Sequence, residues 1–293
     1  MSNPCGRSLG GQQQKERAVG TLYVVATPIG NLEDITLRAL RVLREVSLIA
    51  AEDTRTARKL LSRYDIHTPL SSYWEHNELA RVEPLLAALE EGDVAIISEA
   101  GTPGISDPGL PIVRAAAEAG FSVVPIPGPT AVATAVAIAA LPVERFLYLG
   151  FLPRTRKARR ELLAEVGSLP FTLVCFESPH RVVDALVDMA DLLGPRQVAL
   201  CRELTKRHEE VWRGALPEAL AHLEAHSPRG EFTLVVDRPS DERPRWEKDR
   251  VLQAVLHLVA EGRPRKEALR EVAAQSGWPR REVYDLWTRR PSP

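Results

Sequence analysis

Three loops rich in glycine and proline hold the residues of this chain best suited to binding a ligand. The longest, Ser98-Glu99-Ala100-Gly101-Thr102-Pro103-Gly104-Ile105-Ser106-Asp107-Pro108-Gly109, carries three glycines and two prolines and follows an apolar run over 93–97. Such punctuation fixes a loop of one shape at the carboxyl end of a strand, which is where an open α/β sheet takes its ligand. A second loop, Thr27-Pro28-Ile29-Gly30-Asn31, follows an apolar run over 22–26 and leads into a helical pattern over 35–46. The third, Pro127-Gly128-Pro129-Thr130-Ala131, joins a run over 121–125 to a small-residue helix ending near 140. Strand, glycine turn and helix start, in that order, aim backbone N–H groups at a ligand. The pattern G-x-G-x-x-G is absent and no Gly-Lys-Ser/Thr follows the first two loops, so the bound group is expected not to be a phosphate. Gly101 and Gly128 are expected where the backbone meets that ligand with no Cβ between them.

The elements that must position these loops alternate along the chain. Strand-length apolar runs fall near 22–26, 47–51, 69–74, 93–98 and 121–126, with helical patterns near 35–46, 55–63, 77–91, 109–119 and 129–140. That alternation predicts a mainly parallel sheet covered on both faces. After Leu141-Pro142 the pattern restarts, with strands over 145–152, 171–177, 197–203, 210–213 and 231–237. The fold class is α/β, with two α/β domains, mainly parallel sheet first and mixed sheet second, and the cleft between them is the natural substrate site. The expected division is a disordered leader over 1–19, domains over 20–128 and 129–238, and a small helical module over 239–293.

Composition narrows the function classes. A chain of 293 residues with 44% apolar content can bury more than one core. The formal net charge of −1 shows no global bias toward polyanions, so any nucleic-acid contact must come from local patches. Cys5, Cys175 and Cys201 form no C-x-x-C pair, and the seven histidines show no ligand spacing, so no metal is expected. Buried reduced thiols, no apolar run of membrane length and no export signal predict a cytoplasmic protein with no membrane partner.

Two basic features stand out. Arg154, Arg156, Lys157, Arg159 and Arg160 place five positive charges in seven residues, with no acidic neighbour in sequence until Glu161. Arginine forks match phosphate oxygens, so this run is a candidate RNA contact. Beyond a polar linker at 238–245, residues 238–293 hold 13 Lys or Arg against 9 Asp or Glu. Its segments at 264–275 and 279–288, around Ser276-Gly277-Trp278-Pro279, have helix-turn-helix spacing, which serves nucleic-acid binding and purely structural roles alike.

Thr27-Pro28-Ile29-Gly30-Asn31-Leu32, Ala51-Glu52-Asp53-Thr54-Arg55, the loop 98–109, Pro127-Gly128-Pro129-Thr130, Glu177-Ser178-Pro179-His180-Arg181 and Arg202-Glu203-Leu204-Thr205-Lys206 occur together in this order. On these motifs the chain, over about residues 20–290, resembles the tetrapyrrole methylase superfamily and, within it, the ribosomal RNA small subunit methyltransferase I family. The resemblance implies 2′-O-methylation of a cytidine ribose in 16S ribosomal RNA near the decoding centre, with S-adenosylmethionine as donor in the three loops. It also implies a homodimer, which the apolar 131–141 helix supports if a monomer leaves it partly exposed. One departure is Glu99, where the family usually has Asp, which moves that carboxylate out by one methylene.

Methyl transfer to a ribose hydroxyl needs alignment and a route for the hydroxyl proton more than it needs a metal. Glu177, His180, Glu203 and the region of Asp53 are candidate bases, with Arg202, Glu203 and Lys206 lining the RNA side of the cleft. Two alternatives stay open: a superfamily methylase acting on a tetrapyrrole or a protein side chain, and a non-catalytic nucleic-acid-binding protein. The basic run and the helical module argue against the first, and the three glycine loops against the second.

Overall fold

The computed structural model describes residues 20–74, 76–240 and 246–289, so the expected leader at 1–19, with Cys5, and most of the linker lie outside the described residues. The first sheet consists of β1 (Thr21–Val25), β2 (Leu48–Ala51), β3 (Leu70–Ser72), β4 (Val94–Ile97) and β5 (Ser122–Ile126), all parallel, in the order β3-β2-β4-β1-β5. Helices α1 (Leu37–Glu45), α2 (Thr54–Arg63), α3 (Glu78–Glu91) and α4 (Leu110–Glu118) follow β1 to β4 in turn.

Successive side chains of these strands are buried on opposite faces. Val25, Ile49, Ala95 and Ile97 pack with Leu40, Leu43, Leu60 and Leu61 on one side. Leu22, Val94 and Ile96 pack with Leu85, Leu89, Ile112 and Ala116 on the other. Burial on both faces is why the strands read as continuous apolar runs. Helix starts are fixed by side chains: Thr36 accepts from the Ala39 N–H, and Asp53 from the Arg55 N–H.

The polypeptide then passes to α5 (Ala131–Ile138) and a second sheet of β6 (Phe146–Phe151), β7 (Thr172–Glu177), β8 (Gln197–Arg202), β9 (Glu210–Ala215) and β10 (Phe232–Val236), ordered β6-β7-β10-β8-β9. Only β6 and β7 pair parallel, so the sheet is mixed. Helices α6 (Arg156–Gly167), α7 (Val182–Leu193) and α8 (Leu216–Ala225) cover one face through Leu163, Leu186, Met189 and Leu216. The opposite face is closed by α5 and the residue that caps it, with Ala135 and Ala139 fully buried against Val174, Ala199, Cys201 and Val235. Ala135 of this helix serves close packing on the chain's own second sheet, while Ala133 and Ala137 stay exposed, so a monomer leaves the helix partly exposed as expected.

The C-terminal module is α9 (Lys248–Ala260), α10 (Arg265–Ser276) and α11 (Arg280–Thr288), packed around Val251, Val255, Leu269, Val272, Val283 and Trp287. Gly277 ends α10 at φ +69°, the left-handed turn that lets α11 start after Pro279.

Candidate active site

Because β4, β1 and β5 are adjacent and parallel, the loops that follow them emerge side by side at one edge of the first sheet. The first two are stitched together. Thr27 N–H donates to Gly101 O at 2.8 Å, Gly101 N–H returns a bond to Thr27 O at 3.0 Å, and Thr27 Oγ1 donates to Ser98 O at 3.3 Å. Gly101 has φ +84°, where a side chain is strained, and a Cβ on it would lie 3.5 Å from Ile29 Cγ2 and 4.0 Å from Pro129 O. All three loops thus meet at Gly101. Gly128 is required for another reason: a Cβ there would stand 3.0 Å from Ala26 Cβ and 3.4 Å from Ala26 O. Its missing side chain makes room for Ala26 at the end of β1.

Between this edge and the second sheet lies a cavity of about 650 Å³. Of the expected ligand-binding residues, Thr27, Pro28, Ile29, Gly30, Glu99, Ala100, Gly101, Thr102, Thr130 and Ala131 line it. Asn31, Pro103, Gly104, Pro127, Gly128 and Pro129 are absent from its wall. Asn31 instead caps the turn Leu32–Asp34 with its side chain and docks the two lobes, its N–H donating to Thr205 Oγ1 at 3.0 Å. Gly30 allows the same docking, since a Cβ on it would meet Lys206 Cγ at 2.5 Å and Thr205 Oγ1 at 2.7 Å. The second lobe contributes Phe151, Phe176, Glu177, Ser178, Lys206 and Glu231 to the opposite wall.

The cavity is acidic. Glu52, Glu99, Asp107, Glu177 and Glu231 line it against Lys59 and Lys206. Burial pushes the Asp107 carboxyl up to about 7, reinforced by the charges of Glu52, Glu99 and Glu231 and opposed by a hydrogen bond from Ser98. Asp107 lies inside the loop 98–109, and its position at the end of a glycine-rich strand exit was the available signal for a chemical role.

The expected base candidates are occupied elsewhere. Glu177 is buried, and burial raises its carboxyl, while its Oε1 accepts from Ser178 N–H at 2.9 Å and its Oε2 faces Arg181 Nη2 at 3.2 Å. Glu203 Oε1 accepts from Lys206 Nζ at 2.8 Å and from Glu231 N–H at 3.0 Å, bracing a turn in which Glu203 and Thr205 have φ +50° and +64°. Burial works to raise the Glu203 carboxyl, but these hydrogen bonds outweigh it and hold the group low. Arg202 pairs with Glu210 at 2.8 Å, and neither Arg202 nor Glu203 lines the main cavity. Asp53 is held down to about 2 by hydrogen bonds from Arg55, beside its capping role. His180 is exposed ahead of α7, away from the cavity wall. Of these expected residues, Glu177 and Lys206 alone face the cavity, and Lys206 does so between Glu203 and Glu231.

The expected RNA-binding run is also corrected in part. Arg156, Arg159 and Arg160 lie on one face of α6, and their guanidinium nitrogens reach the fully buried Asp188 of α7 at 3.0, 2.6 and 2.9 Å. Arg160 pairs with Asp191 as well, at 3.0 Å. Arg159 is itself buried, so it cannot hold a phosphate. The neutralising acid comes from α7 and was invisible in the local sequence. Arg154, Lys157 and the exposed Arg156, whose Nε is tied to Asp188, remain as the run's outward charges.

A donor such as S-adenosylmethionine fits this cavity. Its volume suits a nucleoside-sized ligand, its carboxylates complement a sulfonium and an ammonium, and Gly101 leaves the backbone bare where the loops meet. Fold and site together define a methyltransferase of the tetrapyrrole methylase class, and the sequence profile of the tetrapyrrole (corrin/porphyrin) methylases matches residues 21–220. A ribosomal RNA small subunit methyltransferase I from Halalkalibacterium halodurans is 46% identical over 281 residues, covering 94% of this chain and 96% of its own length. The protein of the same name from Thermotoga maritima is 47% identical over 219 residues, which is 74% of this chain and 98% of its own. The uroporphyrin-III C-methyltransferase of Thermus thermophilus, solved with S-adenosylhomocysteine, shares the fold at a TM-score of 0.54 and 18% identity, over 74% of this chain and 97% of that one. The chain belongs to the ribosomal RNA small subunit methyltransferase I family, and S-adenosylmethionine is its cofactor.

Proposed function

We propose that this chain methylates the ribose 2′-hydroxyl of a cytidine in 16S ribosomal RNA near the decoding centre, working as a homodimer on the small subunit in the cytoplasm. The observation that carries this reading is the contrast between a carboxylate-lined cavity and an exposed aromatic surface at its wall. A wall in which carboxylates outnumber lysines five to two disfavours a polycarboxylate macrocycle but accepts a cationic donor beside an uncharged hydroxyl. At the mouth, Phe151 is 56% exposed and stands edge-on to Phe176, a surface on which an unstacked base can lie. The names of the relatives support ribosomal RNA as the substrate. The family profile matches residues 21–220, within the two α/β lobes, which favours placing the chemistry there and not in the helical module.

Phosphate contacts are assigned to the rim of the second lobe. A smaller cavity of about 310 Å³ is lined there by Arg202, Glu203, His208, Arg229 and Gly230, and Arg207 lies exposed beside it. Changing Arg207 and Arg229 together to alanine should weaken RNA binding and reduce the slope of log affinity against log salt by about one per lost contact. The pair Arg154→Ala and Lys157→Ala tests the α6 end in the same assay, with donor affinity unchanged in both. Wild-type slopes in both double variants would reject both patches, and mapping the methylated nucleotide in RNA treated with the wild-type chain tests the reaction itself.

The dimer has a separate basis. Trp74, Leu79 and Leu110 are exposed at the end of β3 and the starts of α3 and α4, an apolar surface that a second copy would cover. Light scattering at micromolar concentration should return twice the chain mass; a monomeric mass would remove this part of the reading.

A further inference from the structure

We propose that Asp107 takes the proton from the attacking ribose hydroxyl, positioned by a bond between Ser106 and Tyr148 that ties the loop 98–109 to the second sheet. This rests on the 2′-O reading above. Ser106 Oγ and Tyr148 OH are 2.6 Å apart, and Ser106 holds φ +63°, an unusual conformation for a residue with a side chain. The next residue, Asp107, is thereby presented on the cavity wall. Tyr148 is also edge-on to Phe176 at 5.3 Å, and Phe176 to Phe151 at 5.6 Å. Asp107 therefore stands where the donor loops meet the aromatic mouth, the place where a methyl donor and an acceptor nucleotide come together.

The other carboxylates of the cavity are committed. Glu52 Oε2 accepts from Glu99 N–H at 3.0 Å, Glu99 Oε1 accepts from Thr56 at 3.5 Å, Glu177 faces Arg181, and Glu231 pairs with Lys206 at 2.9 Å. The groups that set the charge state of Asp107 are Glu52 at the end of β2, Ser98 and Glu99 after β4, and Glu231 ahead of β10, with Lys206 beyond Glu231. A carboxyl near neutrality is matched to proton transfer at working pH, and the positive charge of the bound donor draws it toward the anionic form needed of a base. In the step, the hydroxyl oxygen forms the new O–C bond as the C–S bond breaks. The bonding pair leaves with sulfur as a neutral thioether, and the hydroxyl proton passes to an Asp107 carboxylate oxygen.

The test compares wild type, Asp107→Asn and Asp107→Glu on small-subunit RNA at saturating donor. Asp107→Asn should lose roughly a hundredfold to ten-thousandfold in single-turnover rate, with partial recovery in Asp107→Glu. At saturating donor the wild-type kcat/KM should rise through a midpoint below the free-protein value of about 7, a rise that the Asn variant lacks. Carboxyl-carbon NMR of the free protein should show Asp107 titrating near 7, and calorimetry should find donor affinity in Asp107→Asn within a few-fold of wild type. A rate within tenfold of wild type, or a loss confined to donor affinity with the saturated rate intact, overturns the assignment while ribose methylation by the wild-type chain stands. Methylation mapped to a base nitrogen overturns the 2′-O reading and this inference with it.

Discussion

Gly101→Val should abolish measurable binding of S-adenosylmethionine while costing only a few degrees of thermal stability. The residue occupies φ +84°, a region that costs a residue with a side chain roughly 1–2 kcal/mol and a β-branched one more. The strain falls on the paired hydrogen bonds between Gly101 and Thr27, which hold the loops after β1 and β4 in register. A loop freed from that bridge no longer presents its backbone to the ligand, yet little apolar surface is uncovered. Gly128→Val should behave differently. Its Cβ would press on Ala26 at the end of β1, and overpacking of that kind costs roughly 1–3 kcal/mol, so the melting temperature falls by several degrees at about 2–4 °C per kcal/mol. Calorimetry with the donor and thermal melts on both variants decide the matter. If Gly101→Val binds the donor with wild-type affinity, the three loops are connectors and the cavity assignment fails.

The contrast between those glycines marks what the linear sequence can convey. Loop composition and strand-helix alternation located the three glycine loops and the elements around them, because glycine, proline and apolar periodicity act locally. Which strands are neighbours is not local: residues 27, 101 and 128 converge because β1 lies between β4 and β5. The reason for Gly128 lies in its approach to Ala26, and the role of Asn31 in its contact with Thr205, neither of which has a signature within its own loop. The helix α8 carries no N-cap acceptor at Ala215 and is announced only by Pro217 and Glu218, so its start is faint in the sequence. Charge was the least legible property. Asp107 looks like any loop aspartate until folding surrounds it with three glutamates, and a run of arginines looks like an RNA patch until a second helix brings Asp188 beneath it.

Asp188→Ala should therefore be among the most damaging single changes outside the cavity, and it should act through stability. The carboxylate is fully buried and takes hydrogen bonds from Arg156 Nε, Arg159 Nε and Arg160 Nη1 at 3.0, 2.8 and 2.9 Å. Removing it leaves the buried Arg159 guanidinium without its counter-charge, and breaking a buried pair in this way costs roughly 3–5 kcal/mol. For a chain of this size that is a fall of roughly 10 °C in melting temperature. Replacing Arg159 by Met together with Asp188 by Leu should recover part of the loss, since the desolvation of both charges is removed at once. Arg154→Ala, on the exposed end of the same run, should stay within about 0.5 kcal/mol of wild type. The pH dependence has a definite sign. Burial tends to raise the Asp188 carboxyl, but the three arginine hydrogen bonds outweigh it and hold the group below its ordinary value. Its contribution is accordingly complete above the unfolded value of about 4 and is lost as pH falls through the lowered folded value. The stability gap between wild type and Asp188→Ala should thus be flat from neutral pH down to about 4 and narrow only below it. A variant that melts with wild type but flattens the salt dependence of RNA binding would show the opposite: that the accessible Arg156 and Arg160 are held ready for phosphate, with Asp188 only orienting them.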